Sequence, residues 1–327
     1  MPDKDDLHSE ATQLFIEGKE PDESKTDRMR VRGVRQFDQW WYENRDKDIL
    51  EAGWRDIRSF FQDRANDGLA PQTLRSLRDT LKVFYQEYVG PNEPLGRNPL
   101  NSVEKWSRHV DSYGTATKKA EYAGNDDGVI YLSREETRKL RENVPNPQVR
   151  NELLIKLMVQ TGARRNEVST ITFDDLDREE RRVTLHDDKT GKTRTVPFTD
   201  LSPELDLWLN KYRHGYNPAS RSEHLFVTER SEQLHCHQVN EIVKDAAENA
   251  GIQEVMYTDA QGRNRHRVTA HTLRHTYAIR MTEQDIPIRY LQELMGHKDI
   301  KETQIYLKIT DDKAAEEYHR IDPSFEA

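Results

Sequence analysis

The chain is 327 residues long, more than one hydrophobic core usually organises, so two domains are expected, each able to bury a core. No run approaches the ~20 apolar residues that span a bilayer, the start MPDKDDLHSE lacks the regions of a secretion signal, and the lone Cys236 excludes an internal disulfide or a cysteine zinc knuckle. A cytoplasmic protein without membrane contact is therefore expected. The net charge of −9 argues against nucleic acid until its distribution is read: residues 1–26 hold eight acids against three bases, residues 311–327 six against two, and the stretch between is neutral.

Residues 1–26 read as an acidic lead-in that stays out of the core, with one short helix near Leu14 to Ile16. From Asp27, the residues Val31, Val34, Phe37, Trp40 and Trp41 recur at helical spacing, and Ile57, Phe60 and Phe61 do so again after Gly53. Leu74, Leu77, Leu81, Phe84, Tyr85 and Tyr88 mark a third helix ending at Gly90-Pro91, so residues 27–107 are predicted to form a helical bundle. Its first helix carries Arg28, Arg30, Arg32 and Arg35, a basic cluster suited to DNA phosphates. Asp111 to Gly128 is polar, glycine-bearing and aperiodic, which places a linker over 108–130.

Residues 131–310 form the second predicted domain. Ser133 and Glu136 make a capping box, and Leu153, Leu154, Leu157 and Met158 mark a helix stopped by Thr161-Gly162. Arg182 to His186 and Arg194 to Phe198 alternate around Asp188-Lys189-Thr190-Gly191, a β-hairpin with Lys189 at its tip and the one well-marked sheet element. Helices are predicted at 203–213, 237–250, 271–283, 287–295 and 300–308, with a short strand at Leu225 to Val227. Tyr257 to Arg267 reads as a loop turning at Asp259 to Gly262, whose Arg263, Arg265 and Arg267 either touch DNA backbone or are solvated. The fold class is mainly α: a helical bundle followed by a mixed α domain with a small antiparallel hairpin. A C-terminal tail, 311–327, follows.

The second domain offers Arg164 after a helix break, Lys189 at the hairpin tip, His271 and Arg274 opening a helix, His297 after Met295-Gly296, and Tyr306. Singly these read as a solvated charge, a solubilising lysine or a core tyrosine. Together they supply what attack on a phosphodiester needs: a nucleophile, a proton acceptor, cations for the non-bridging oxygens and an acid for the departing oxygen. Two guanidiniums, Arg164 and Arg274, suit the phosphoryl group because each donates two parallel hydrogen bonds. Lys189 can serve as the acid, Tyr306 as the nucleophile and a neutral His271 as the base. A metal-dependent nuclease built on His235-Cys236-His237 is disfavoured, since adjacent residues at a helix start diverge and no third ligand is evident.

Thr161-Gly162-Ala163-Arg164-Arg165-Asn166-Glu167-Val168 resembles the first box of the tyrosine recombinase (phage integrase) family. Lys189, eight residues before Pro197, lies on a hairpin like the one bearing that family's lysine, and His271-x-x-Arg274-His275-Thr276 is similar to the second box. Met295-Gly296-His297, with Tyr306 nine residues after His297, resembles the third. Ala163 and Met295 depart from the family's commoner, larger apolar residue and leucine, both tolerable packing changes. The bundle is similar to the family's core-binding domain, and because residues 1–26 are acidic, no basic arm-binding domain is expected before it.

The resemblance implies site-specific recombination of double-stranded DNA by a homo-tetramer on paired sites. Strands would exchange through 3′-phosphotyrosine and a Holliday junction, with neither metal nor cofactor. It also implies that Arg164 and Arg274 clamp the phosphate, Lys189 is the acid, His271 a base or hydrogen-bond donor, His297 a phosphate ligand and Tyr306 the nucleophile, with Glu167 and His275 in support. Residues 311–327 then either dock on a neighbouring protomer or fray. A type IB topoisomerase or a non-catalytic DNA-binding factor are the alternatives.

Overall fold

The structure, a computed structural model, describes residues 7–19, 24–69, 71–90, 94–101, 122–124, 128–187, 191–259 and 262–310. The chain divides into two compact units, Met1–Thr117 with Thr258–Arg263, and Lys118–Tyr257 with Asn264–Ala327. Of the expected linker, residues 108–121 and 125–127 lie outside the described residues, as does the whole tail 311–327.

In the first unit, α1 (Glu10–Glu17), α2 (Lys25–Asn44), α3 (Trp54–Asn66) and α4 (Pro71–Gln86) surround one aromatic core. Ser24 starts α2, its hydroxyl accepting the Asp27 N–H at 3.1 Å. The predicted stripe Val34, Phe37, Trp40 and Trp41 is buried, and Phe37 meets Phe60 of α3 edge to face with centroids 4.9 Å apart. Gly33 lets α2 approach α4, since a Cβ there would sit 3.0 Å from Thr80 Cγ2. The lead-in departs from expectation. Ala11, Phe15 and Ile16 of α1 are buried in this core, and the Tyr88 hydroxyl donates to the Ala11 carbonyl at 2.6 Å.

From Arg134 on, the elements in chain order are α5 (Arg134–Glu142), α6 (Gln148–Thr161), α7 (Arg165–Thr170), β1 (Leu176–Asp177), β2 (Arg182–Asp187), β3 (Lys192–Pro197), α8 (Ser202–Leu207), α9 (Cys236–Asn249), β4 (Val255–Thr258), β5 (Asn264–His266), α10 (Ala270–Glu283), α11 (Ile288–Met295) and α12 (Lys301–Thr310). Helix α10 is central: Ala270, every residue from Thr272 to Ile279, and Thr282 are buried, and α6, α9, α11 and α12 all pack on it. The predicted hairpin is present as β2–β3, with Val183 opposite Val196 and Leu185 opposite Arg194. A third strand, β1, extends it to the order β1-β2-β3.

Three expectations are corrected. Leu225 to Val227 form no strand; they are buried filler, the Leu225 N–H bonding to the Ile171 carbonyl at 2.8 Å while Trp208 Nε1 donates to the Leu225 carbonyl at 2.9 Å. A short apolar run reads alike in either role. The loop around 257–267 instead contains strands β4 and β5, paired as a two-stranded sheet. The helix predicted at 203–213 is α-helical only to Leu207 and continues as a π-helical turn, Trp208–Tyr212. The fold is, as predicted, mainly α with a small antiparallel sheet.

Candidate active site

Three chain breaks set up the site. Helix α6 ends at Gly162, whose φ of +62° suits glycine and whose absent Cβ leaves room for Tyr277, otherwise 2.5 Å from Tyr277 Cδ1. This turn delivers Arg164 to the start of α7. There the Glu167 carboxylate accepts the Arg164 N–H at 2.6 Å and Arg164 Nη1 at 3.0 Å, while Asp187 lies 3.7 Å from the same Nη1. Thr269 caps α10, its hydroxyl accepting the Thr272 N–H, which begins the helix just before His271 and Arg274. Gly296, at φ +62°, ends α11 and releases His297.

Arg164, His271 and Arg274 line a cavity of about 530 Å³, together with Glu167, Lys298 and Glu302. Arg274 is 2% exposed and anchored by backbone: Nη1 donates to the Gly162 carbonyl at 2.8 Å and Nη2 to the Met295 carbonyl. Burial, then the charges of Arg164 and Arg194, bring its guanidinium down to about 9, with Glu167 and Tyr306 opposing. Crowded cations in a part-buried hollow favour an anion.

Tyr306 is 2% exposed and shares a 3.0 Å hydrogen bond with His275 Nδ1. Burial raises its hydroxyl to about 12, although Arg274 and Arg164 pull the other way. His271 stacks edge to face on His275 with centroids 4.2 Å apart, so His275 is the imidazole that touches the tyrosine and His271 is the one that faces the cavity. His297 bonds through Nδ1 to Thr303 Oγ1 at 2.9 Å and lies parallel to the Tyr306 ring, with centroids 6.4 Å apart. Burial first, and then the charges of Arg274, Arg164, Arg194 and His271, hold its imidazole down at about 3, neutral at ordinary pH.

The structure thus brings together Arg164, Glu167, His271, Arg274, His275, His297 and Tyr306. Lys189 lies outside the described residues, although β2 and β3 flank its position. Arg28 and Arg32 are exposed on α2, Arg30 pairs with Asp27 at 3.1 Å, and Arg35 is half-buried. Arg263 pairs with Asp259 at 2.9 Å, Arg265 is exposed, and Arg267 is held by Glu136 at 2.6 Å and the Ile252 carbonyl at 3.2 Å. Sequence reading missed Arg194, which reaches Glu167 from β3 at 2.5 and 2.7 Å. The missed signal is a charge on the same face of β3 as Val196, where the alternation calls for an apolar residue. Among the described residues no cluster of His, Cys, Asp or Glu could hold a metal ion, and no helix is long and apolar enough to cross a membrane.

Comparison with known proteins places the chain in a family. The Phage integrase family profile matches residues 131–313. Tyrosine recombinase XerA of Pyrococcus furiosus is 33% identical over 183 residues, a match spanning 55% of this chain and only 57% of that one. Tyrosine recombinase XerC of Bacillus subtilis is 25% identical over 86% of this chain and 81% of its own length. In fold, the chain is similar to the XerH site-specific recombinase bound to palindromic difH substrate, with a TM-score of 0.69 and 17% identity over 96% of this chain and 90% of that one. With the profile covering more than half of the chain and all three boxes inside it, this protein belongs to the phage integrase family, the tyrosine recombinases.

Proposed function

We propose that this protein is a site-specific DNA recombinase that cleaves and rejoins double-stranded DNA by transesterification. The observation that carries the reading is the buried Tyr306–His275 pair, 3.0 Å apart, under the influence of the two guanidiniums that line the adjoining cavity. In this reading Arg164 and Arg274 hold the scissile phosphate and neutralise the charge that builds on its non-bridging oxygens. The Tyr306 oxygen attacks phosphorus as its proton passes to an imidazole, His275 by contact or His271 from the cavity side. A bond from the Tyr306 oxygen to phosphorus forms, the bond to the 5′ oxygen breaks, and Lys189 protonates the departing oxygen. His297, neutral and steadied by Thr303, contributes its second ring nitrogen to the phosphate. One ester is exchanged for another, so neither metal nor cofactor is required.

Residues 27–107 act as the core-binding domain, with Arg28, Arg30, Arg32 and Arg35 toward phosphates and 108–130 as linker to the catalytic domain 131–310. Arg263 and Arg265 add backbone contacts, and Arg267 does so only indirectly. The strand exchange proceeds through a Holliday junction within a homo-tetramer on paired sites in the cytoplasm; the relatives' names support recombination, and the DNA-bound neighbours, a lambda integrase dimer among them, support DNA as the substrate.

The test incubates wild type and Tyr306→Phe, in EDTA, with nicked or 5′-bridging-phosphorothioate DNA carrying candidate sites. A denaturant-resistant adduct in wild type alone is expected. An equal adduct in the phenylalanine variant would move the nucleophile elsewhere, and no adduct on DNA that the protein binds at a cognate site would favour a non-catalytic binding factor.

A further inference from the structure

Strand β3 alternates, with Thr193 and Thr195 facing out and Arg194 and Val196 facing in; the Arg194 side chain is 10% exposed. A guanidinium at an inward position is tolerated only when its charge and its donors are all matched. Here they are. Nη1 and Nη2 donate to the two oxygens of Glu167 at 2.5 and 2.7 Å, and Nε donates to the Leu294 carbonyl at 2.8 Å. Gly296 completes the seat: a Cβ there would lie 3.1 Å from both Cδ and Nη1 of Arg194. Glu167, itself 1% exposed, passes the constraint to Arg164 through its bonds to the Arg164 N–H and Nη1. One side chain thereby ties the strand that follows Lys189, the carboxylate that receives Arg164 and the turn that leads into His297.

We infer that Arg194 is a positioning residue for cleavage, acting through Glu167 to aim Arg164 at the phosphate and through Leu294 to seat the His297 turn. This rests on the recombinase reading of the cavity. Lysine cannot replace it, because a single ammonium cannot span both Glu167 oxygens and the Leu294 carbonyl in one plane. Burial pushes the Glu167 carboxyl up, and Arg194, aided by the Arg164 N–H and the charge of Arg274, holds it below its ordinary value; without Arg194 the main part of that opposition is lost. Arg164 would then face a carboxyl that is no longer aligned and that holds its proton more tightly.

The experiment measures single-turnover adduct formation on the same DNA, across pH, for wild type, Arg194→Lys, Arg194→Met and Arg194→Met with Glu167→Gln, each checked for DNA binding. Arg194→Met should lose about a hundredfold in rate with DNA affinity kept. Its residual rate should climb with pH along a limb that wild type and the double variant lack. Wild-type rates in the Arg194 variants overturn the inference; so does a loss of rate without the new limb, which reduces Arg194 to packing. Absence of adduct in wild type overturns the recombinase reading instead. The Arg194–Glu167 unit is then decided by a double-mutant cycle in denaturant midpoint, where coupled losses uphold it and additive losses overturn it.

Discussion

His297 shows how a single residue turns the site's charge into a measurable property. Its imidazole is held at about 3 by burial and by the surrounding arginines, against an ordinary value of 6.5. The unfolded chain therefore binds this proton more readily than the folded one, so the stability linked to His297 is complete above about 6.5 and drains away as pH falls toward about 3. His297→Gln should flatten that part of the melting-temperature profile, and a profile of unchanged slope would show that other groups dominate acid unfolding. Residue types and spacing made His271, Arg274, His297 and Tyr306 legible, because the chemistry demands those side chains together. The partner of the Tyr306 hydroxyl was not legible: His271 and His275 lie one helical turn apart, and only packing decides which ring turns inward. Arg194 broke the inward alternation of β3, but that sign of a buried charge names no partner until Glu167 is seen beside it.

At the scale of elements, α1 carries the clearest consequence. Phe15 is 1% exposed and meets Phe84 edge to face, centroids 5.3 Å apart. Phe15→Ala should therefore cost the first unit about 3–5 kcal/mol, read as a lowered denaturation midpoint; a loss near zero would mean that α1 merely lies on the surface. Its helix was expected near Leu14 to Ile16, but its burial was missed because eight residues in an acidic segment give a stripe too short to stand out, whereas the 20 residues of α2 repeat theirs several times. The β2–β3 hairpin was legible from alternation and a glycine-bearing turn. Strands β4 and β5 were not, because Val255–Thr258 and Asn264–His266 are short and largely exposed, with no apolar face for a pattern to reveal.

At the scale of the whole molecule, the acidity collects near the two ends and leaves a neutral middle, so DNA affinity depends on local clusters. Exchanging Arg28, Arg32 and Arg35 together for glutamine should lower the slope of log affinity against log salt by about 3 if each meets a phosphate, and an unaltered slope would remove α2 from the interface. The site's most telling global property concerns Tyr306 of α12, which is buried with its oxygen against His275 and is not among the residues lining the cavity. If Tyr306 is the nucleophile, an oxygen so enclosed keeps the protein from cutting DNA that it merely touches. On the recombinase reading proposed above, breakage would wait for the Tyr306 oxygen to exchange its His275 bond for the phosphate.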